Sequence, residues 1–133
     1  MALTRDQQLI SDFWRCFSDT DEAGISALMH PEISWQAMGR QGGLPISGIM
    51  DKAAILSLMH NVRQMSVSGL VLTMMAWTGE NERIAIEMEG KANMQNGRDY
   101  YNHYHFLAII RDGKIHTLRE YGDTDEIRRV FLT

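Results

Sequence analysis

His103 and His105, two residues apart, and Glu120 have the types and spacing for proton transfer or metal binding. They flank Arg111-Asp112-Gly113-Lys114. Asp-Gly between two alternating runs is a strong signal for a type I′ hairpin, whose two central residues both need positive φ. A two-residue Asp112-Gly113 loop fixes the strand register. It sets Arg111 opposite Lys114, Ile109 opposite His116, Leu107 opposite Leu118, His105 opposite Glu120 and His103 opposite Gly122. One face of the ribbon then carries His103, His105, Leu107, Ile109, His116, Leu118 and Glu120. An imidazole facing a carboxylate on an apolar face can act as a proton-transfer pair. Burial raises the carboxyl pKa, and the carboxylate in turn stabilises imidazolium. Read structurally, the same pair is a hydrogen bond that satisfies two half-buried groups. His103-x-His105 with Glu120 also has the donor types of a three-ligand metal site, but no fourth ligand stands out and no metal is expected.

The elements that must position this hairpin follow from the rest of the chain. Thr4-Arg5-Asp6-Gln7 fits a capping box, and Leu9, Ile10, Phe13, Trp14 and Phe17 continue at helical spacing. A second, short helix runs through Ile25, Leu28 and Met29 and is stopped by His30-Pro31. Residues 33–38 read as a short strand. The glycine-rich residues 39–48 read either as a flap beside a cavity or as a plain connector, and they lack the Lys-Ser/Thr of a phosphate loop. A third helix spans Asp51 to Gln64, with Ile55, Leu58, Met59 and Val62 on one face. Strands then run from Leu70 to Thr78 and from Arg83 to Met94, and Asn96-Gly97 turns the chain into the hairpin. A short last helix carries Ile127, Val130 and Phe131. Helices first and strands later predict a single α+β domain over residues 1–133, with helices covering one face of a curved antiparallel sheet.

Composition narrows the function classes. A net charge of −4, a pI near 5.7 and the lack of a basic cluster argue against nucleic acid as a partner. No apolar run approaches a membrane span, the opening residues lack a signal-peptide layout, and the lone Cys16 excludes an internal disulfide. A cytoplasmic protein with no membrane partner is expected. The ten methionines suit an adaptable cavity as well as ordinary core filling.

The element order, the length and the pattern Asp-Gly-Lys-Ile-x-x-x-Arg-Glu-Tyr-x-Asp from Asp112 to Asp123 resemble one superfamily. It contains the SnoaL-like polyketide cyclases, ketosteroid isomerases, limonene epoxide hydrolases, scytalone dehydratases and nuclear transport factor 2. The resemblance spans essentially the whole chain. It implies a cone-shaped curved sheet wrapped around the three N-terminal helices (a cystatin-like roll), with an apolar pocket in the concavity and homodimers formed through the outer sheet face. Aligned on Gly113-Lys114-Ile115, Glu120 and Glu89 fall where the epoxide hydrolases place two active-site aspartates. The arginine between those acids is Glu87 here, and the water-holding tyrosine and asparagine are Trp35 and Ala37. Against the ketosteroid isomerases, His105 falls at the protonated aspartate of the oxyanion hole, and the general base falls near Met38 or Gly39, which cannot take a proton. Both comparisons meet at His105 and Glu120, which makes the His105 face the pocket face. A two-residue Asn96-Gly97 loop pairs Glu89 with Tyr104, whereas a three-residue loop with a bulge pairs it with His105; the resemblance favours the second.

The resulting expectation is a small-molecule-binding protein acting without cofactor as an isomerase, cyclase or dehydratase on an apolar, polyketide- or steroid-like substrate. His105, Glu120 and Glu89 are its candidate catalytic residues, and Trp35, Met38, Met59, His103, Leu107 and Leu118 its candidate walls. Tyr100 or Tyr101 could add a hydroxyl at the cavity mouth, or simply pack. Asn102, Tyr104, Phe106, Arg119, Tyr121 and Asp123 have the mixed character of a dimer interface. The alternatives are a non-catalytic binding or interaction module and an epoxide hydrolase-like enzyme.

Overall fold

The capping box forms as read: Gln7 N–H donates to Thr4 Oγ1 at 3.1 Å, and Thr4 N–H donates to Gln7 Oε1 at 3.0 Å. The structure, a computed structural model, describes residues 2–37, 39, 40, 43–45 and 47–132. The capped helix, α1 (Arg5–Asp19), buries Ile10, Phe13, Trp14 and Phe17. Thr20 ends it in the left-handed region, and Asp21 caps α2 (Glu22–Leu28) by accepting the Gly24 N–H. The chain passes straight into β1 (Met29–Ala37), so His30 and Pro31 belong to a strand that starts earlier than the apolar pattern indicates. β2 (Gly48–Met50) returns antiparallel along β1, Asp51 caps α3 (Lys52–Met65), and a meander follows: β3 (Val71–Glu80), β4 (Arg83–Asn93), β5 (Asp99–Arg111) and β6 (Lys114–Gly122). α4 (Thr124–Phe131) closes the chain.

The strands form one sheet in the order β2-β1-β6-β5-β4-β3. The meander is antiparallel as expected, while β1 joins β6 in parallel and makes the sheet mixed. The sheet is curved and unclosed, and its inner face packs on the aromatic stripe of α1. Trp14 sits at the centre of that contact, with ring centroids 5.5 Å from Trp35 and 4.8 Å from Phe106.

The Asp112-Gly113 turn has the positive φ values of a type I′ hairpin, 55° and 71°. Arg111 pairs with Lys114 and Ile110 with Ile115, and there the one-to-one register stops. Ile109 pairs with Thr117, which leaves His116 as an extra, unmatched residue on β6. One extra residue exchanges the two faces of everything beyond it. Consequently His105 lies opposite Tyr121 and Phe106 opposite Glu120, so the expected His105–Glu120 pair does not form. The cause is hydrophobic. Ile115 and Leu118, three residues apart, are both fully buried, and an uninterrupted strand would turn one of them outward. The same device recurs on β3, where Met75 is unmatched and Met74 and Trp77 both pack inward.

The β4–β5 connection is longer than either reading of Asn96-Gly97. Asn93 and Asp99 form the last pair, and Met94 N–H donates to Arg98 O across the loop. Glu89 therefore pairs with His103.

Because Ile109 and Thr117 stay paired whether or not His116 is present, deleting His116 is expected to cost about 1 kcal/mol and to keep Leu118 inside. Inserting a glycine after His116 sets Leu118 four residues from Ile115, so an unbulged strand still turns it inward. Its partner changes from Ala108 to Phe106 and every contact beyond it slides by two residues, which is expected to cost about 3 kcal/mol or more. Urea denaturation of the two variants checks the contrast, and equal losses would count against the Ala108–Leu118 register as what the bulge preserves.

Candidate functional site

Between the inner sheet face and the helices lies a cavity of about 460 Å³, within the range of small-molecule sites. α1 contributes Trp14 and Phe17, α3 contributes Leu58 and Val62, and α4 contributes Ile127 and Phe131. Pro45 and Ser47, from the glycine-rich segment, also line it; Gln41, Gly42 and Ile46 of that segment lie outside the described residues. The sheet supplies Trp35, Tyr100, Tyr104, Phe106 and Glu120.

Glu120 is the carboxylate in this lining. The bulge places it opposite Phe106, and the parallel strand places it beside Ala37. Its Oε1 accepts the Trp35 indole N–H at 2.9 Å. Burial pushes its pKa up to about 7, against the opposing effect of that hydrogen bond. An acid poised there can exist in either protonation state near neutral pH, the condition for efficient proton transfer.

Two phenols share the cavity. The Tyr100 and Tyr104 hydroxyls are hydrogen-bonded to each other, and Asn102 Nδ2 donates to Tyr100 Oη at 2.9 Å. Burial pushes Tyr100 up to about 12 and Tyr104 well above its ordinary value, so both are neutral donors near neutral pH. Tyr104 lies against two glycines: a Cβ on Gly90 would come within 2.9 Å of its Cε2, and one on Gly122 within 3.0 Å of its Cδ1. Those missing side chains let the ring lie close to the sheet.

No protein-family model matches the sequence, and no curated protein matches it. Solved structures match it along nearly its whole length. An NTF2-like protein of unknown function from Burkholderia pseudomallei is 17% identical with a TM-score of 0.83, covering 98% of this chain and 100% of its own. TerC, co-crystallised with polyporic acid, is 19% identical with a TM-score of 0.82, covering 98% and 100%. IdmH from Streptomyces antibioticus, a candidate polyketide cyclase, is 14% identical with a TM-score of 0.79, again covering 98% and 100%. The chain has the NTF2-like fold.

Within this NTF2-like cone the residues expected at the site separate. Glu120 and Trp35 line the cavity together. His103 and His105 are exposed on the outer face, and Glu89 and Leu107 share that face. There Tyr101 donates its hydroxyl to Glu89 Oε2 at 2.8 Å and meets His103 Nε2 at 2.9 Å, a surface network away from the cavity. Leu118 and Met59 are fully buried in the core, where Leu58 and Val62 take the wall position expected of Met59. Met38 lies outside the described residues. Conversely Asn102, Tyr104 and Phe106, expected on the outer face, are buried within the cone. The signal that could have found them is the spacing of Ile115 and Leu118, two apolar residues three apart that only a bulge can bury together.

The arrangement of metal-type donors also changes. Glu120 faces away from His103 and His105, so those three cannot converge. His30, Glu32 and His116 do come together, with donor atoms within 4.8 Å of one another. His30 Nδ1 accepts the Glu32 N–H at 3.0 Å, which keeps the proton of the neutral ring on Nε2, opposite Asp112 Oδ2 at 3.4 Å. With its lone pair engaged, the ring serves as a hydrogen-bonded brace at the hairpin tip.

Glu120 makes stability depend on pH with a definite sign. Its folded pKa lies above the unfolded value, so its contribution is full below the unfolded pKa and is lost as pH rises through about 7. Glu120→Gln keeps an acceptor for Trp35 and removes the ionisation cost. It is expected to stabilise the protein by on the order of 3 kcal/mol at about pH 8, and to change little at about pH 4. Denaturant titrations at the two pH values check this.

Proposed function

We propose that the protein binds an apolar, carbonyl-bearing small molecule in its cone and moves a proton on it without a cofactor, as an isomerase, cyclase or dehydratase. The observation that carries this reading is the sharing of one apolar cavity by a carboxyl poised near pH 7 and a neutral phenol pair. Ionised Glu120 removes a proton from the carbon next to the carbonyl. A phenol O–H donates to the carbonyl oxygen as enolate charge develops there, the role first expected of His105. Returning the proton at another carbon completes an isomerisation. Attack by the enolate carbon on a second carbonyl closes a ring, the new alkoxide taking the proton back from Glu120. Loss of a β-hydroxyl as water, protonated by Glu120, completes a dehydration. The aromatic walls, Trp14, Phe17, Trp35 and Phe106, suit a flat, polyketide-like skeleton. The likeness to IdmH and to TerC with polyporic acid agrees with that class. Hydrolysis of an epoxide by water held between Glu89 and Glu120 is set aside, because the two acids face opposite sides of the sheet.

The direct measurement is deuterium exchange into a panel of enolisable aromatic ketones, followed by NMR. The rate is expected to rise with pH through an inflection near 7, as Glu120 ionises. Glu120→Gln is expected to lose about 100-fold or more, and Tyr104→Phe about 10-fold or more. Unchanged exchange in Glu120→Gln would refute the assignment, and tight binding without exchange by the unaltered protein would mark a binding module instead.

Two copies are further inferred to pair through the outer sheet face. Val71, Met75, Tyr101 and Tyr121 are 63%, 59%, 44% and 46% exposed there, more apolar surface than an isolated sheet face favours. Arg119 and Tyr121 keep the outward position expected of them, while the histidines replace Asn102, Tyr104 and Phe106. Analytical ultracentrifugation is expected to give a dimer that Tyr121→Glu converts to monomer; a monomeric parent protein would refute the pairing.

A further inference from the structure

Asn102 is 1% exposed and stands on β5 between the two cavity tyrosines, yet the chemistry proposed above makes no use of it. Its side chain forms a closed set of hydrogen bonds. Oδ1 accepts the Asp123 N–H at 3.0 Å, and Nδ2 donates to the Asp123 carbonyl oxygen at 3.1 Å and to Tyr100 Oη at 2.9 Å. The two bonds to Asp123 fix the amide in one orientation, because a flip would set oxygen against oxygen and N–H against N–H. The other Nδ2 hydrogen is therefore committed to Tyr100, and Tyr100 Oη must accept it.

That constraint decides a proton count. The phenol pair has two hydroxyl hydrogens, and the Tyr100–Tyr104 bond uses one of them in either direction. Asn102 supplies a hydrogen to the pair and takes none. The second O–H is left to donate into the cavity that both rings line. A carboxylate at position 102 would reverse this, because it would accept from Tyr100 and spend both hydrogens inside the wall.

The same amide fixes the start of α4. Asp123 is the N-cap of that helix, its Oδ1 accepting from Asp125 N–H and Glu126 N–H. α4 lines the cavity with Thr124, Ile127 and Phe131, and the Phe131 ring lies edge-on to Tyr100 at 5.0 Å. We propose that Asn102 is the positioning residue of this site: by holding Tyr100 as an acceptor it directs one phenol hydrogen into the cavity, and by holding Asp123 it makes that donor depend on the seating of α4. What the donor does to a substrate rests on the function proposed above, whereas the hydrogen-bond direction and the coupling do not.

The test uses ligand-free protein labelled with ¹³Cζ-tyrosine, whose four tyrosine signals report the state of each phenol oxygen. In Asn102→Ala the signals of Tyr100 and Tyr104 are both expected to move, while those of Tyr101 and Tyr121 stay. Amide hydrogen exchange in α4 is expected to speed up about tenfold or more, matching one to two lost hydrogen bonds. In Tyr100→Phe, which keeps both bonds between Asn102 and Asp123, the Tyr104 signal is expected to move while α4 exchange stays within about twofold. An unmoved Tyr104 signal in Asn102→Ala, with α4 loosened, would reduce Asn102 to a helix clip and overturn the proposal. Equal loosening of α4 in Tyr100→Phe would overturn it as well, by showing general packing in place of a directed link. If Asn102→Ala does not fold, Tyr100→Phe together with Asn102→Asp decides the matter. The carboxylate variant is expected to move the Tyr100 signal toward that of a phenol donating to an anion, and an unmoved signal there overturns the proposal. Neither readout involves turnover, so failure of the Glu120 assignment and failure of this one are separately visible.

Discussion

His116, the unpaired residue of β6, determines which side chains the hairpin shows to the cavity. The Asp112-Gly113 turn alone would leave Ile115 inside and put Leu118 outside. Burying Leu118 contributes about 1.5–3 kcal/mol, more than the ladder bonds that a single bulge disturbs. The chain therefore skips one residue, and every side chain beyond it exchanges faces. Glu120 turns into the cone with Leu118, and Arg119 and Tyr121 turn outward. The acid at the centre of the site is thus placed by the packing of a leucine two residues away.

Once inside, Glu120 is an electrostatic burden that the rest of the cavity relieves only in part. Its polar contact is the Trp35 indole N–H, a single neutral hydrogen bond against the loss of water, and its pKa accordingly settles near 7. A structural carboxylate would be stabilised by a cation or by backbone N–H groups. Among the described residues the cavity lining offers Glu120 neither, and the neighbouring polar groups are two phenols held in the neutral state by the same burial. Groups kept apart in acidity and turned to one space are the ingredients of acid–base chemistry.

The wall behind those phenols is organised as tightly as the cavity itself. Asn102 joins β5 to the start of α4, Gly90 and Gly122 make room for the Tyr104 ring, and Asn96 Nδ2 donates to Val130 O at 3.0 Å near the far end of α4. The last helix is therefore fixed at its start to the strand that carries the donors and near its end to the loop that leads into that strand, so the seating of α4 and the orientation of the phenols are linked. The opposite sheet face carries histidines, tyrosines and the unmatched Met75 at the surface.

The amino-acid sequence by itself determined the local structure: the Thr4–Gln7 capping box, the type I′ turn and the order of helices before meander. These depend on interactions within a few residues, so pattern and residue type suffice. It also singled out Glu120 and Trp35, which meet across 2.9 Å. The partners of Glu120 were decided only by tertiary structure. A bulge is favoured by burial summed over both strands and the helix they cover, a long-range quantity that no turn motif contains. The parallel pairing of β1 with β6, which brings Trp35 to Glu120, is likewise invisible locally, because the two strands are separated by most of the chain. Counting residues from the turn sets His105 opposite Glu120, and the one extra residue in β6 turns Glu120 into the cone and leaves His105 on the outer face.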